Sequence, residues 1–177
     1  MVRAEYKRVY LRESTFDDCK LFAKWEKNEF VSGFFTINEG RDYEEVVCEY
    51  VNRKNDPSVL QLTICLKDDD EPIGRIHISN INWKYDSLDI TRIYLGEKSV
   101  RGEGLGEEAL RACLYIAFED YKMERVTLDY FDGNDIAASL YTKVGFQKEG
   151  VMRNGGKKNG KYVNLILMSM LSSEYKK

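Results

Sequence analysis

The stretch Arg101-Gly102-Glu103-Gly104-Leu105-Gly106 lies between an apolar run and a long amphipathic segment. Its three glycines let the backbone bend sharply and present N–H groups that no side chain covers. A helix that begins directly after such a loop adds the partial positive charge of its first turn, which favours phosphate or pyrophosphate. The stretch therefore predicts that the chain holds a phosphorylated cofactor.

The spacing of the glycines differs from two common nucleotide motifs. A Rossmann fingerprint reads G-x-G-x-x-G and opens on the first strand of its unit, whereas this loop reads G-x-G-x-G. A Walker loop places Lys and Ser or Thr after its last glycine, and neither follows Gly106. Taken alone, the loop also fits a flexible connection before a helix, so the rest of the chain has to decide.

Length and composition indicate one folded domain over residues 1–177. The chain has 177 residues, of which 43% are hydrophobic and 12% aromatic, enough for a sizeable core. A net charge of −3 argues against nonspecific nucleic-acid binding and suits a cationic substrate. No apolar run reaches the roughly 18 residues of a membrane span, and the N-terminus lacks the apolar core of a signal peptide. We expect a cytoplasmic protein with no nucleic-acid or membrane partner.

Cysteine and histidine chemistry is not expected. The single histidine, His77, alternates with isoleucines in a strand-like run, so a Ser-His-Asp or Cys-His mechanism would have to use a structural residue. None of the cysteines has CxxC or Cys/His spacing, and each lies among apolar residues. We predict buried thiols and no metal site for all four, which are Cys19, Cys48, Cys65 and Cys113.

Hydrophobic periodicity predicts the order β-α-α-β-β-β-α-β-α-β-β, a mixed α/β domain with antiparallel hairpins early and late. Strands are predicted at 9–11, 59–66, 73–81, 88–95, 126–130, 146–152 and 162–170, and helices at 14–28, 42–54, after the glycine loop, and at 136–144. Residues 30–36 and 153–160 are predicted as a loop and a long polar turn. The helix after the glycine loop carries one continuous apolar stripe, formed by Leu110, Cys113, Leu114, Ala117, Phe118 and Tyr121.

A second motif lies one predicted strand downstream of the glycine loop. It runs from Asn134 through Ala137 and Leu140-Tyr141 to Gly145-Phe146. Together with the loop it resembles the GNAT superfamily of acetyl-CoA-dependent N-acetyltransferases, whose cofactor loop reads Arg/Gln-x-x-Gly-x-Gly/Ala. Further segments, including Pro72-Ile73-Gly74 and the strand end at Tyr94 to Lys98, are similar to the branch of ribosomal-protein alanine acetyltransferases and spermidine acetyltransferases.

The resemblance implies a mixed, mostly antiparallel sheet, flanked by helices, in which two strands splay apart around acetyl-CoA. The backbone of Ile93, Tyr94 and Leu95 would pair with the two amides of the pantetheine arm like an added strand. Arg101, Gly102, Glu103, Gly104, Leu105 and Gly106 would wrap the pyrophosphate. Asn134 would contact the pantetheine, and Lys143 would lie near the phosphate end.

The resemblance also implies direct transfer of acetyl to a primary amine, with Tyr141 as the general acid that protonates the departing thiolate. The alternative is that Tyr141 only packs beside Ala137. Many relatives carry a catalytic Glu in the strand before the loop, but the matching position here is Ile90. The base is therefore either an ordered water or Asp89 acting through a water. Arg92 stands where relatives commonly have glycine, which alters the nearby substrate pocket.

The acceptor stays open between a protein N-terminal α-amine, a polyamine and an aminoglycoside-like molecule. Glu26 and Glu29 are candidate contacts for a cationic amine, although solvated helix charges explain them equally well. An exposed acidic face is predicted for Glu44, Glu45 and Glu49. Many relatives are homodimers, so a dimer is expected. A non-catalytic module that binds acyl-CoA for regulation is the competing hypothesis, and Tyr141 at the acid position argues against it.

Overall fold

A computed structural model describes residues 1–33, 35 and 41–176. Within these residues, eight strands form one sheet in the order β1-β2-β3-β4-β5-β6-β8-β7. The strands are β1 Val2–Tyr6, β2 Val9–Glu13, β3 Leu60–Leu66, β4 Pro72–Asn82, β5 Ser87–Leu95, β6 Arg125–Phe131, β7 Gln147–Lys158 and β8 Lys161–Leu171. The helices are α1 Asp18–Glu26, α2 Glu29–Ser32, α3 Tyr43–Arg53, α4 Leu105–Tyr115 and α5 Asp135–Val144.

The sheet opens between its fifth and sixth strands. All neighbouring strands are antiparallel except β5 and β6, which run parallel and pair only at Ser87–Asp89 with Arg125–Thr127. Both strands continue, to Leu95 and Phe131, without further pairing to each other. The mixed, mostly antiparallel and splayed sheet expected from the resemblance is confirmed.

A β-bulge at Thr91 changes which way β5 presents its side chains. His77 of β4 pairs with Arg92, but the next residue, Ile78, pairs with Ile90, which leaves Thr91 as the extra residue. Because side chains alternate along a strand, the extra residue puts Ile90 and Arg92 on opposite faces. Ile90 joins the main core, and Arg92 lies on the face that α1 and α3 cover.

Two apolar clusters hold the helices on the sheet. The larger one packs α4 and α5 on one face. The predicted stripe is buried there from Leu110 to Phe118, with Tyr121 half-buried, but α4 itself ends at Tyr115 and a π-helical turn, Ile116–Asp120, carries the rest. The smaller one packs α1 and α3 on the other face around Phe22, Trp25 and Tyr94. No helix in the described part of the chain combines the length and apolar composition needed to cross a bilayer.

Three local predictions were wrong. The edge strand β1 was not predicted, because it has only five residues, two of them charged, and only Ala4 is buried. The predicted loop 30–36 contains the end of α2, and its residues Phe34 and Thr36 lie outside the described residues. Cys48 is exposed, whereas the other three cysteines are buried as predicted.

The last hairpin is longer than predicted. Residues 153–158, predicted as part of a turn, continue β7, and the turn is only Asn159-Gly160. Both turn residues have positive φ, 49° and 77°, as a two-residue type I′ turn requires. The segment is polar because this end of β7 extends past the rest of the sheet and packs on no apolar core. Its composition therefore resembles that of a turn.

Candidate active site

The glycine loop leads into α4 in the conformation that its sequence predicts. A 3-10 turn at Lys98–Val100 precedes it, and Gly104 is the N-cap residue of α4. Gly102 and Gly104 have φ of 81° and 82°, the left-handed region that glycine occupies without strain. A Cβ built on Gly102 would meet no atom within 4 Å, so this part of the loop faces open space.

An arginine from the other end of the sequence fixes the loop. The Arg8 guanidinium donates to the carboxylate of Glu108 at 2.7 and 3.0 Å, and the Arg8 backbone N–H donates to it at 2.9 Å. A further Arg8 N–H donates to the carbonyl of Glu103 at 2.6 Å. Arg8 therefore ties both the loop and the first turn of α4 to the end of the β1–β2 turn. Sequence analysis missed this contact, which joins residues 100 positions apart.

The two basic residues assigned to the phosphate end behave differently. The Arg101 guanidinium turns back, donating to the Leu95 carbonyl at 2.6 Å and lying 5.1 Å from the ring centre of Phe30. Lys143 on α5 is exposed and forms an ion pair with Glu107 at 2.7 Å, one turn after the loop. Lys143 is thus beside the loop, whereas Arg101 braces the end of β5.

Along the opening, β5 has one edge without a neighbouring strand. Residues Ile93, Tyr94 and Leu95 pair with β4 on one side only, and β6 has already diverged on the other. The Tyr94 side chain is buried and its hydroxyl donates to Glu26 at 2.9 Å, so this side chain does not line the opening. The edge therefore lacks a strand partner near the glycine loop, and of its groups the Leu95 carbonyl already accepts from Arg101.

The phenol of Tyr141 is held beside β6 by α5. Asn134 caps this helix, accepting from the Ala137 N–H at 3.2 Å, as predicted. The Tyr141 ring lies 5.8 Å from that of Tyr130 on β6 and 6.1 Å from that of Phe146. Burial, and then the negative charge of Asp129, raise the pKa of Tyr141 well above its ordinary value. At neutral pH the phenol is protonated.

Two carboxylates stand on β5 and β6 where the strands separate. Asp89 accepts from the Thr127 hydroxyl at 2.7 Å and from the Thr91 hydroxyl at 3.0 Å. Asp129 lies two residues beyond Thr127 and so shares its face of β6. Burial raises the pKa of both, and the charge of Asp89 raises that of Asp129 further. The negative charge of Asp129 also contributes to the raised pKa of Tyr141.

Sequence analysis did not single out Asp129. The available signal was the alternation in β6, where Val126 and Leu128 are buried and Thr127 and Asp129 point to the other face. Such alternation shows which face a residue occupies but not what stands opposite it on the next strand.

Of the two acidic residues proposed for cation binding, Glu29 is exposed at the start of α2, whereas Glu26 is buried in an ion network between α1, α3 and the sheet. Glu26 is fully buried and bonds Arg75 at 2.9 Å and Arg41 at 3.0 Å. Glu49 bonds the same two arginines and also Arg92, at 3.2 Å. These carboxylates are committed to arginines and are not free to hold an amine, and Glu49 is not part of a wet face.

His77 has the structural role that its sequence position predicts. It is buried next to the ion network, and burial together with the charges of Arg92 and Arg75 lowers its pKa to about 3. The ring is therefore neutral at physiological pH and does not act as an acid or base there. The prediction that catalysis does not use histidine remains consistent with this position.

The open sheet, the glycine loop at the head of α4 and the buried tyrosine beside β6 are the features of an acyltransferase site. The family model for the acetyltransferase (GNAT) domain matches residues 8–147. The chain belongs to this family and is an acetyltransferase.

Relatives cover nearly the whole chain. The chain is 23% identical to the uncharacterized N-acetyltransferase p20 of Bacillus licheniformis, over 95% of each chain. A Bacillus subtilis protein named as a ribosomal N-acetyltransferase, YdaF, is 28% identical over 58% of this chain and 55% of its own. The Vibrio cholerae spermidine N-acetyltransferase, solved with CoA and spermine, superposes with a TM-score of 0.87 at 20% identity, over 95% of this chain and 98% of its own. The resemblance to ribosomal and spermidine acetyltransferases is confirmed.

Proposed function

We propose that the protein transfers acetyl from acetyl-CoA to a primary amine, with Tyr141 as the general acid. The observation that carries the proposal is the opening between β5 and β6, with the glycine loop near one end and Tyr141 packed on the strand that borders it. A tyrosine that only filled space would need no opened sheet beside it. Acetyl-CoA, when bound, supplies an activated acetyl thioester.

The residues present fit this co-substrate. The open face at Gly102 and the N–H groups at the head of α4 suit a diphosphate, since α4 and its glycine N-cap leave these donors unpaired. The free edge of β5 from Ile93 to Leu95 suits a pair of amides that add as a strand. From the family resemblance, Asn134 is proposed to contact the pantetheine arm and Lys143 the phosphate end.

The chain's own groups divide the proton transfers. The acceptor binds as a neutral amine after its ammonium form has given one proton to water. Asp129, exposed on β6, then receives the second proton, because the N–H bonds become far more acidic once nitrogen begins to bond to carbon. Backbone N–H groups on the open edge of β5 stabilise the developing oxyanion. Tyr141 gives its proton to the departing sulfur, and solvent restores both groups. Asp89, already bonded to two hydroxyls, sets the pKa of Asp129, and an ordered water remains the alternative base.

The acceptor is a primary amine, and the relatives support more than one kind. A structural neighbour is a spermidine N-acetyltransferase with bound spermine, and a sequence relative is named as ribosomal. A protein N-terminal α-amine, a polyamine and an aminoglycoside-like molecule are therefore the acceptors to test. A cytoplasmic location and assembly as a homodimer stay predictions.

Release of free thiol from acetyl-CoA, measured over a panel of these amines, tests the proposal. We expect release with at least one class of amine, and thermal stabilisation of the protein by CoA but not by ATP or NAD. Stabilisation by CoA without release for any amine would instead support the acyl-CoA-binding module. Stabilisation only by ATP or NAD would refute the proposed co-substrate.

A further inference from the structure

One face of the β7–β8 hairpin continues the face that carries Asp129. Asp129 pairs with Leu167 of β8, so the two side chains point the same way. Every second residue of β8 keeps this face as the strand runs back toward the hairpin turn. We name this row the acceptor lane; it consists of Asp129, Leu167, Leu165, Val163 and Lys161.

The far end of the lane reaches the helices across the opening. Lys158, the cross-strand partner of Lys161, donates from Nζ to the carbonyl of Ser32 in α2 at 2.8 Å. The preceding helix α1 packs on β5, where the Trp25 ring lies 6.3 Å from that of Tyr94. The β7–β8 hairpin thus begins next to β6, which borders the opening on one side. Its turn end contacts α2, on the side of the opening that β5 borders.

The lane is negative at one end and positive at the other. No Asp or Glu occurs from residue 150 to residue 173. Lys161 is exposed, and within the described residues no carboxylate pairs with it. Leu167, Leu165 and Val163 form an apolar stretch between the two charges. Six residues of β8 separate the Lys161 and Asp129 levels, roughly 20 Å at the rise of a strand.

We infer, resting on the proposed acetyltransferase activity, that the acceptor is a peptide N-terminal amine followed by an acidic side chain. The amine lies at Asp129, an apolar or small segment follows β8, and the acid reaches Lys161. At roughly 3.3 Å per residue, the acid falls about six residues from the N-terminus. An amino acid carries its own carboxylate too close to the amine, and a polyamine has no carboxylate to offer Lys161.

Two heptapeptides with free N-termini and a C-terminal fluorophore test the lane. They differ only at positions six and seven, which are Asp-Glu in one and Asn-Gln in the other. At low ionic strength, we expect the wild-type protein to bind the acidic peptide about threefold to fivefold tighter by fluorescence anisotropy. Lys161→Glu should abolish or invert this preference.

The matched control is Lys157→Glu, which makes the same change in net charge on the opposite face of the hairpin. Lys157 pairs with Tyr162, and its ammonium lies 5.3 Å from that ring. This variant should keep the preference. Equal binding of both peptides by the wild type, or equal loss in the two variants, would overturn the inference. A preference that persists where no amine releases thiol would support the lane and refute the activity.

Discussion

Replacing Gly104 with Ala should weaken binding of CoA by about 5-fold to 30-fold. Gly104 has φ of 82°, and an Ala in the left-handed region costs about 1–2 kcal/mol. The added methyl itself is tolerated, because its nearest atom, the Arg8 guanidinium, would be 3.8 Å away. If the loop relieves the strain by leaving this conformation, the ligand has to restore it, and 1.4 kcal/mol corresponds to about a tenfold change in Kd.

A control with equal strain separates this effect from general destabilisation. Gly160 in the β7–β8 turn has φ of 77° and no atom within 4 Å of a built Cβ. Gly160→Ala should lower the melting temperature and leave the Kd for CoA unchanged, whereas Gly104→Ala, whose loop relieves its strain in the free protein, should lower the melting temperature less and weaken CoA binding; calorimetry measures both. A Gly104→Ala variant that lost less stability than Gly160→Ala and still bound CoA as tightly as the wild type would show that the assigned role of the loop is wrong.

Two further predictions concern charged groups. In the pH profile of kcat/KM, Asp129→Asn should remove the acidic limb. Asp89→Asn should move that limb to lower pH, because the Asp89 charge raises the pKa of Asp129. An unchanged profile in both variants would exclude Asp129 as the base. Glu26→Gln should lower the free energy of unfolding in urea by about 3–5 kcal/mol at pH 7, whereas exposed Glu44→Gln should change it by less than about 0.5. The arginines lower the pKa of Glu26, so the stability that its carboxylate contributes is present above its unfolded pKa of about 4.3 and is lost as pH falls through its folded pKa. The difference in free energy of unfolding between wild type and Glu26→Gln should therefore become smaller in acid. A difference that did not change with pH would contradict the assignment.

The parts of the site that sequence predicted are those with local signals. The glycine loop needs left-handed residues at fixed positions, and Gly102 and Gly104 have them. Asn134 caps α5 and Gly145 ends it because both roles depend on a few consecutive residues. The apolar stripe of α4 likewise follows from a helical period that any long buried helix repeats.

The parts that sequence did not predict depend on contacts between distant residues. The bulge at Thr91 follows from the register of β5 against β4, and it places Arg92 toward α3 instead of the main core. Glu26 looked like a surface helix charge, yet Arg75 and Arg41, 49 and 15 residues away, make its burial possible. Propensity and periodicity do not encode such pairings.

Turnover and co-substrate affinity of Tyr141→Phe test the central claim most directly. The phenylalanine ring keeps the packing against Tyr130 and Phe146, so the Kd for CoA should stay within about twofold of wild type. Without the phenolic proton, kcat for acetyl transfer should fall by roughly 10²-fold. A variant that turns over at the wild-type rate would show that Tyr141 only packs in the core and that another group protonates the leaving thiolate.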